Sequence, residues 1–366
     1  MGEWEETTLG QFVSLQRGHD LPDSIREAGD VPVMGSFGVT GFHATAREKG
    51  PGVTIGRSGA SIGVVSYIDR DYWPLNTCLY VTDFKGNNPR YAYYLLKTIH
   101  LSSFNSGSAQ PSLNRNFIYP IPLTVPKRHE QDEIAALLSA LDDKIDLNRR
   151  MNETLETMAR AIFKDWFVDF GPVRAKAEGR PPYLSSEIWA LFPDALDDDD
   201  KPVGWEEKRV DDILDLVYGK ALKASDRVDG SIPVYGSGGI TGYHSIALVE
   251  GPSVIVGRKG TVGSLYWEDS PFFPIDTVFY VNPKTHLTFC FYFLQTLGLD
   301  GMNTDAAVPG LNRNNVYRLP VVWSQTKLRT EFDKIVKLLR QRMRKNTEES
   351  KTLAQLRDLL LPKLIS

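Results

Sequence analysis

The residues best placed by type and spacing to do chemistry are arginines held between glycines. Gly56-Arg57-Ser58-Gly59 and Gly257-Arg258-Lys259-Gly260 each set a guanidinium in a chain able to turn tightly. A guanidinium can take guanine O6 and N7 bidentately or grip a phosphate, and glycine lets a backbone approach a ligand closely. The same residues also fit a tight turn whose arginine pairs with a local carboxylate, and both readings stand at this level. Leu113-Asn114-Arg115-Asn116 recurs unchanged as Leu311-Asn312-Arg313-Asn314, with asparagines suited to capping or turning. Catalytic signatures are missing. The glycine-rich run to Gly63 has no Gly-Lys-Ser/Thr ending and lies between strand-like segments, so it is not a phosphate-binding P-loop. The six histidines form no His-Glu-x-x-His pair. Asn87-Asn88-Pro89-Arg90 lacks the second proline and the aromatic residue of an amino-methyltransferase motif, and there is no nucleophile elbow or kinase set. With only Cys78 and Cys290, neither a disulfide framework nor a thiolate zinc cluster can form. What remains is the chemistry of binding.

These motifs come in pairs because the chain is duplicated. Trp4-Glu5-Glu6 returns as Trp205-Glu206-Glu207, and Thr40-Gly41-Phe42-His43 as Thr241-Gly242-Tyr243-His244, both at an offset of 201. One deletion shifts Pro74, Thr77 and Tyr80 onto Pro274, Thr277 and Tyr280, and the Leu-Asn-Arg-Asn tetrads lie 198 apart. A period of half the chain is too long for a solenoid, so whole domains are repeated in tandem. Within each copy, β-branched and aromatic runs such as Val53-Thr54-Ile55 and Thr77-Cys78-Leu79-Tyr80-Val81 predict short strands punctuated by Gly and Pro. Tyr91, Tyr94, Leu95 and Ile99, matched by Phe289, Tyr292, Phe293 and Leu297, predict one helix among them.

After each strand-rich part the period becomes that of a coiled-coil seam. The first seam is Ile134, Leu138, Leu141, Ile145, Asn148, Asn152, Leu155, Ala159 and Ile162; the second is Phe332, Val336, Leu339, Met343, Asn346, Ser350, Leu353, Arg357 and Leu360. Each helix has a stripe to bury, and the other helix is its natural partner. The expected fold is α+β: two homologous strand-rich domains and two long helices forming an antiparallel, pseudo-twofold-symmetric coiled coil. Expected bounds are 1–126 and 204–322 for the domains, 127–170 and 323–366 for the helices, and 171–203 for a linker with one packed piece near Ile188 to Phe192. The helix from Ile134 to Ile162 would span about 42 Å, against roughly 34 to 36 Å for one turn of B-DNA.

The net charge of −4 argues against a nucleic-acid binder until it is divided. In the order of the segments above along the chain, it is −1, −3, −3, −3 and +6. Arg340, Arg342, Arg344 and Lys345 on the second helix face Asp142, Asp143 and Asp146 of the first in composition, which favours pairing of the helices. Neither domain is basic overall, so affinity for DNA should be modest without a partner that contributes phosphate contacts. No stretch approaches a bilayer-spanning length and the N-terminus has no signal-like pattern, which predicts a cytosolic protein.

If DNA is the ligand, the candidate contacts are Ser36, Phe37, Arg57, Ser58, Gln110 and Arg115 in the first copy, with Lys220, Ser237, Arg258, Lys259 and Arg313 in the second. Positions that differ between copies, His19/Lys220, Phe37/Gly238 and Ser58/Lys259 among them, are the candidates for distinct sequence preferences.

Taken together, the residues resemble the specificity subunits of type I restriction-modification systems over essentially the whole chain. The resemblance rests on the Trp-Glu-Glu openings, the Gly-Arg-x-Gly turns and the central stretch Leu141-Asp142-Asp143-Lys144-Ile145-Asp146-Leu147-Asn148. Trp166-Phe167-Val168-Asp169-Phe170 and the leucine-rich ending Leu356 to Ser366 belong to it as well. Glu130-Gln131, similar to the family's helix-start motif, is replaced by Leu328-Arg329 in the second copy. The resemblance implies a non-catalytic subunit of two target-recognition domains reading a bipartite, asymmetric site in double-stranded DNA. It implies two methyltransferase subunits as partners, with restriction subunits joining through the complex, and no membrane. S-adenosylmethionine, ATP and Mg2+ would be cofactors of those partners and none of this chain; base flipping and methyl transfer would be the partner's work. The alternatives are a coiled-coil scaffold whose domains bind protein or glycan, and a methyltransferase fragment that keeps only recognition domains.

Overall fold

The computed structural model describes residues 4–104, 112–303 and 310–365. The chain divides into two compact units, Met1–Arg149 with Asn346–Ser366, and Arg150–Lys345. Each unit thus contains one strand-rich domain and a half of each long helix, Arg128–Phe167 and Thr326–Ile365.

In the first unit, Glu5–Thr8 pairs antiparallel with Pro122–Val125, tying the start of the domain to the strand before its helix. Ser14–Arg17, Cys78–Asp83, Gly52–Gly56 and Val65–Ile68 form a four-stranded antiparallel sheet in that spatial order. Gly38–His43, Val31–Gly35 and Trp73–Pro74 form a smaller sheet, the last strand parallel. The second unit repeats this topology strand for strand, from Glu206–Arg209 on Pro320–Trp323 to the sheets Leu214–Tyr218, Val278–Pro283, Ser253–Gly257, Leu265–Glu268 and Gly239–His244, Ile232–Gly236, Phe273–Pro274.

The helix inside each domain is Pro89–Thr98 or Leu287–Gln295. Asn88 caps the first, its side chain accepting from the N–H groups of Arg90 and Tyr91 at 2.8 and 3.0 Å, with Pro89 where no N–H is needed. The methyltransferase-like Asn-Asn-Pro-Arg is therefore a helix start. Ile99 and Leu297, expected within these helices, lie just beyond their last turns.

Each unit's core joins sheet, inner helix and the long helices. In the first, Leu15, Val53, Leu79, Tyr91 and Leu95 are buried together with Ala135, Leu138 and Ile365. In the second, Phe163, Trp166 and Phe167 lie among Phe289, Tyr292 and Phe332, with Phe163 and Phe332 rings 5.5 Å apart. Trp205, of the repeated Trp-Glu-Glu, packs edge-on against Phe170. Residues between 171 and 203 are drawn into this core: Gly171–Ala177 and Ser186–Trp189 are helical and Val173 and Phe192 are buried, while Asp197 to Asp200 form an exposed turn.

Within each unit the two long helices run antiparallel. Asp142 meets Arg357 and Asn148 meets Asn346 in the first; Asn152 meets Met343 and Glu156 meets Arg340 in the second. None of the seam positions is exposed, from Ile134, Leu138, Leu141, Ile145 and Leu155 to Val336, Leu339, Met343 and Leu353. Asn148 is fully buried, and its amide donates to Asn346 O, Glu349 Oε2 and Ser350 Oγ at 3.4, 2.9 and 3.3 Å, a set of contacts that only one register provides. The replaced helix start keeps its function. Gln131 donates to Pro126 O at 3.0 Å, and Arg329 donates to Ser324 O, the equivalent carbonyl, with its guanidinium 3.7 Å over the Trp323 ring.

A three-residue contact recurs in both units. The Tyr94 hydroxyl donates to Asp142 Oδ2 at 2.6 Å, and Arg357 donates to Asp142 Oδ1 at 2.6 Å. Equivalent Tyr292 donates to Glu156 at 3.1 Å, with Arg340 3.6 Å from the same oxygen. Burial first, and then the bond to Asp142, hold the Tyr94 phenol well above its ordinary pKa. Substituting Asp142→Ala leaves Arg357 and Tyr94 short of a partner; about 1–3 kcal/mol of stability is expected to be lost in urea unfolding, below the fully buried limit because both charges keep some solvent. Burial pushes the Cys78 and Cys290 thiols up to about 12, so at pH 8 neither should react with a thiol reagent in the folded protein, and both should react once it is unfolded.

Candidate nucleic-acid interface

The Gly-Arg-x-Gly turn follows the central strand Gly52–Gly56 of the main sheet. Gly56 is required there, since a Cβ would stand 2.0 Å from Ser61 O and 2.3 Å from Ser36 O. That close approach seats the hairpin turn Ser36-Phe37 against the arginine turn. In the second unit Ser237 does the same, its hydroxyl oxygen accepting from Thr261 N at 3.4 Å and its carbonyl from Ser264 Oγ at 2.5 Å. Phe37 projects with 65% of its surface exposed, where the second copy has Gly238.

The arginine turn is also bonded to the Leu-Asn-Arg-Asn tetrad. Leu113 N–H donates to Arg57 O, and Leu311 N–H to Arg258 O, both at 2.8 Å. Ser58 bridges Ser112, and Lys259 bridges Gly310, as isolated antiparallel pairs. Asn114 and Asn312 then cap the short helices Arg115–Ile118 and Arg313–Tyr317, accepting from Asn116 N and Asn314 N at 3.0 and 2.9 Å. Arg115 and Arg313 turn back to donate to Leu15 O and Leu216 O at 2.6 and 3.3 Å. Two arginines 58 residues apart in the first unit and 55 in the second are thereby held on one rim of each.

The carboxylate partner that a purely structural turn would have used is not there among the described residues. Arg57 donates to Asn76 O at 3.4 Å and Arg258 to Asp276 O at 2.9 and 3.2 Å, so each guanidinium is positioned by a neutral carbonyl and keeps its charge. In the first unit the rim encloses an open polar groove of about 560 Å³ lined by Gln16, Arg17, Arg57, Ser112, Arg115 and Asn116. In the second, Arg258 and Arg313 lie 5.1 and 4.9 Å over the Tyr218 ring.

The other candidates fall apart from this rim or are accounted for otherwise. Lys220 follows the strand end by two residues, exposed, with its N–H on Pro274 O. Its counterpart His19 is half-buried, Nε2 3.4 Å from the Tyr80 hydroxyl, and burial, then the Arg47 charge, lower its pKa and disfavour the charged form. His43 and His244 are buried, each accepting a backbone N–H through Nδ1, from Glu27 and Val228 at 3.1 and 3.0 Å. Gln110 lies outside the described residues. Gln16, Arg17 and Tyr218 were not among the candidates; the signal was available in the repeat, where Arg17 and Tyr218 are equivalents that differ at offset 201.

The described residues contain no group of three or more His, Cys, Asp or Glu able to hold a metal, and no helix long and apolar enough to cross a membrane. Two repeated rims presenting arginines and amides are suited to binding an anionic or hydrogen-bonding ligand. Comparison with known proteins gives the class. The family model for the type I restriction modification DNA specificity domain matches residues 1–157 and 202–313, and the chain belongs to that family, whose members recognise DNA rather than act as catalysts. It is 24% identical to the HindI specificity subunit of Haemophilus influenzae over 70% of this chain and 71% of that one. The MjaIX specificity subunit of Methanocaldococcus jannaschii is 26% identical over 75% of this chain and 68% of its own. The crystal structure of a type I restriction-modification S subunit from M. genitalium superposes with a TM-score of 0.62 at 20% identity, covering 100% of this chain and 96% of that one, a likeness of fold.

The tyrosine beneath each rim is testable. Tyr119 OH accepts from Leu15 N at 2.8 Å and donates to Leu15 O at 3.1 Å, as Tyr317 does with Leu216. Tyr119→Phe strands a backbone N–H on the strand carrying Arg17, and roughly 1–3 kcal/mol of stability should be lost on denaturant titration.

Proposed function

We propose that this chain is the specificity subunit of a type I restriction-modification complex, each unit reading one half of a bipartite, asymmetric site in double-stranded DNA through the major groove. The chain brings two adenine-N6 methyltransferase subunits to that site, and restriction subunits through the complex. S-adenosylmethionine, ATP and Mg2+ belong to those partners, and the complex works in the cytoplasm. The observation that carries the reading is the pair of equivalent rims: in each, two arginine-bearing motifs distant in sequence are bonded together, with guanidiniums held by carbonyls and left charged. Such pre-set forks suit phosphates and guanine edges, whereas a scaffold that binds protein or glycan has no need of the same charged rim twice. The domains' negative net charge agrees with affinity supplied largely by partner subunits.

Arg57→Ala should impair recognition of one half-site and Arg258→Ala the other. Fluorescence anisotropy of the complex with its methyltransferase subunit, using duplexes altered in one half at a time, measures this. A base contact shows as about 1–3 kcal/mol less discrimination at one position. A phosphate contact shows as a uniform loss with the log–log salt slope reduced by about 0.9. Binding unchanged in both variants, or failure of the wild-type complex to methylate any DNA, would return the scaffold reading to first place.

A further inference from the structure

The two rims share one backbone plan and differ in side chains at a few positions, the most exposed to the groove being the last residue of one strand. Arg17 ends Ser14–Arg17, paired with Leu79; Tyr218 ends Leu214–Tyr218, paired with Phe279. The strand pairing, the arginine turn and the capped tetrad recur in both units as backbone elements, so this position presents different chemistry from one backbone frame.

In the second unit Tyr218 fills that frame. Its ring packs 4.9 Å from Phe279, and the Arg258 and Arg313 guanidiniums both lie over it. Part of their charge is met by the aromatic face, and the phenol is the new group offered to a ligand. In the first unit, Arg17 is exposed and no described residue pairs with it, while Arg57 and Arg115 are tethered to Asn76 O and Leu15 O. Three guanidiniums therefore line one groove, two fixed and one unheld, with Gln16 beside them. Like charges gathered so closely are stabilised when acceptors arrive between them, and a planar fork finds its best match in a base edge with two adjacent acceptors.

We infer that position 17, and its equivalent 218, sets a difference in sequence preference between the two units: Arg17 takes a guanine through O6 and N7, and Tyr218 does not. This rests on the reading of the chain as a DNA-specificity subunit. The fixed pair Arg57 and Arg115 holds the duplex so that the untethered third fork reaches one base pair. In the second unit the same place is closed to a guanidinium by the stacked phenol.

The test uses the full chain co-expressed with its methyltransferase subunit in a host free of other adenine methylation, with methylated positions mapped over the genome. R17Y should relax one guanine of one half-site, discrimination falling about ten- to a hundredfold, with the other half-site and the spacer unchanged. R17K, which keeps the charge but not the fork, should relax the same position. Y218R should impose a guanine in the half-site that R17Y leaves alone. Co-purification of each variant with the methyltransferase subunit checks that it is folded. A motif unchanged in R17Y and R17K, with only a uniform loss of methylation that R17K restores, would make Arg17 a phosphate contact and overturn the assignment. A wild-type complex that binds DNA and methylates a defined bipartite site shows that the underlying reading stands, so the two failures are distinguishable. If that complex methylates no defined sequence, the reading of the chain itself falls and this assignment with it.

Discussion

The structure depends on the contact of Tyr94 and Arg357 with Asp142, and of Tyr292 and Arg340 with Glu156. In each unit the tyrosine comes from the domain's inner helix, the acid from the central helix and the arginine from the C-terminal helix. Three elements are thus joined at one carboxylate. A strand-rich domain of this size covers its inner helix only by borrowing the apolar stripes of the long helices, and those stripes are non-directional. The shared carboxylate supplies direction, since an ion pair with hydrogen bonds tolerates one geometry. The acid is on the central helix in both units and the arginine on the C-terminal helix in both, so charge distinguishes the two helices even where the apolar pattern does not. Asn148 and Asn346, buried in the seam, add register to that polarity.

From this frame the rims follow. The main sheet is fixed on the inner helix, its central strand ends in a glycine that admits a neighbouring turn, and that turn is bonded to the capped tetrad. The arginines are set by backbone carbonyls, an arrangement that costs no countercharge. A guanidinium tethered by one N–H still offers its remaining donors, already oriented, and less conformational entropy is lost when a ligand is met. The duplication gives the same device twice, and differences at its edge, Phe37/Gly238, Ser58/Lys259 and Arg17/Tyr218, leave the frame intact.

Much of this was legible in the sequence. The repeat, the strand runs, the inner helices and both seams depend on local period and on residue type, which survive in any tertiary context. The charge pairing of the helices was legible in sign but not in partners: Arg340 reaches Glu156, Asp142 is met by Arg357 near the far end of the second helix, and Lys144 pairs with Glu349 in the opposite sense. Asn87-Asn88-Pro89-Arg90 looked like a faded catalytic motif because a helix cap and a base-holding loop draw on the same residue types. Among the site candidates, Arg57, Arg115, Arg258 and Arg313 stood out by repetition, whereas Arg17 and Tyr218 did not, because a single exposed position at a strand end has no local pattern.

That two like domains alternate with two seam-bearing helices follows from periodicity and duplication, which are properties of the chain. Folding is what sets Gly-Arg-x-Gly and Leu-Asn-Arg-Asn on a shared rim, gives their arginines carbonyls instead of carboxylates, and places Arg17 at one rim and Tyr218 at the other. Those are relations between residues tens of positions apart. They exist once the sheet register and the helix contacts have fixed which backbone groups face one another.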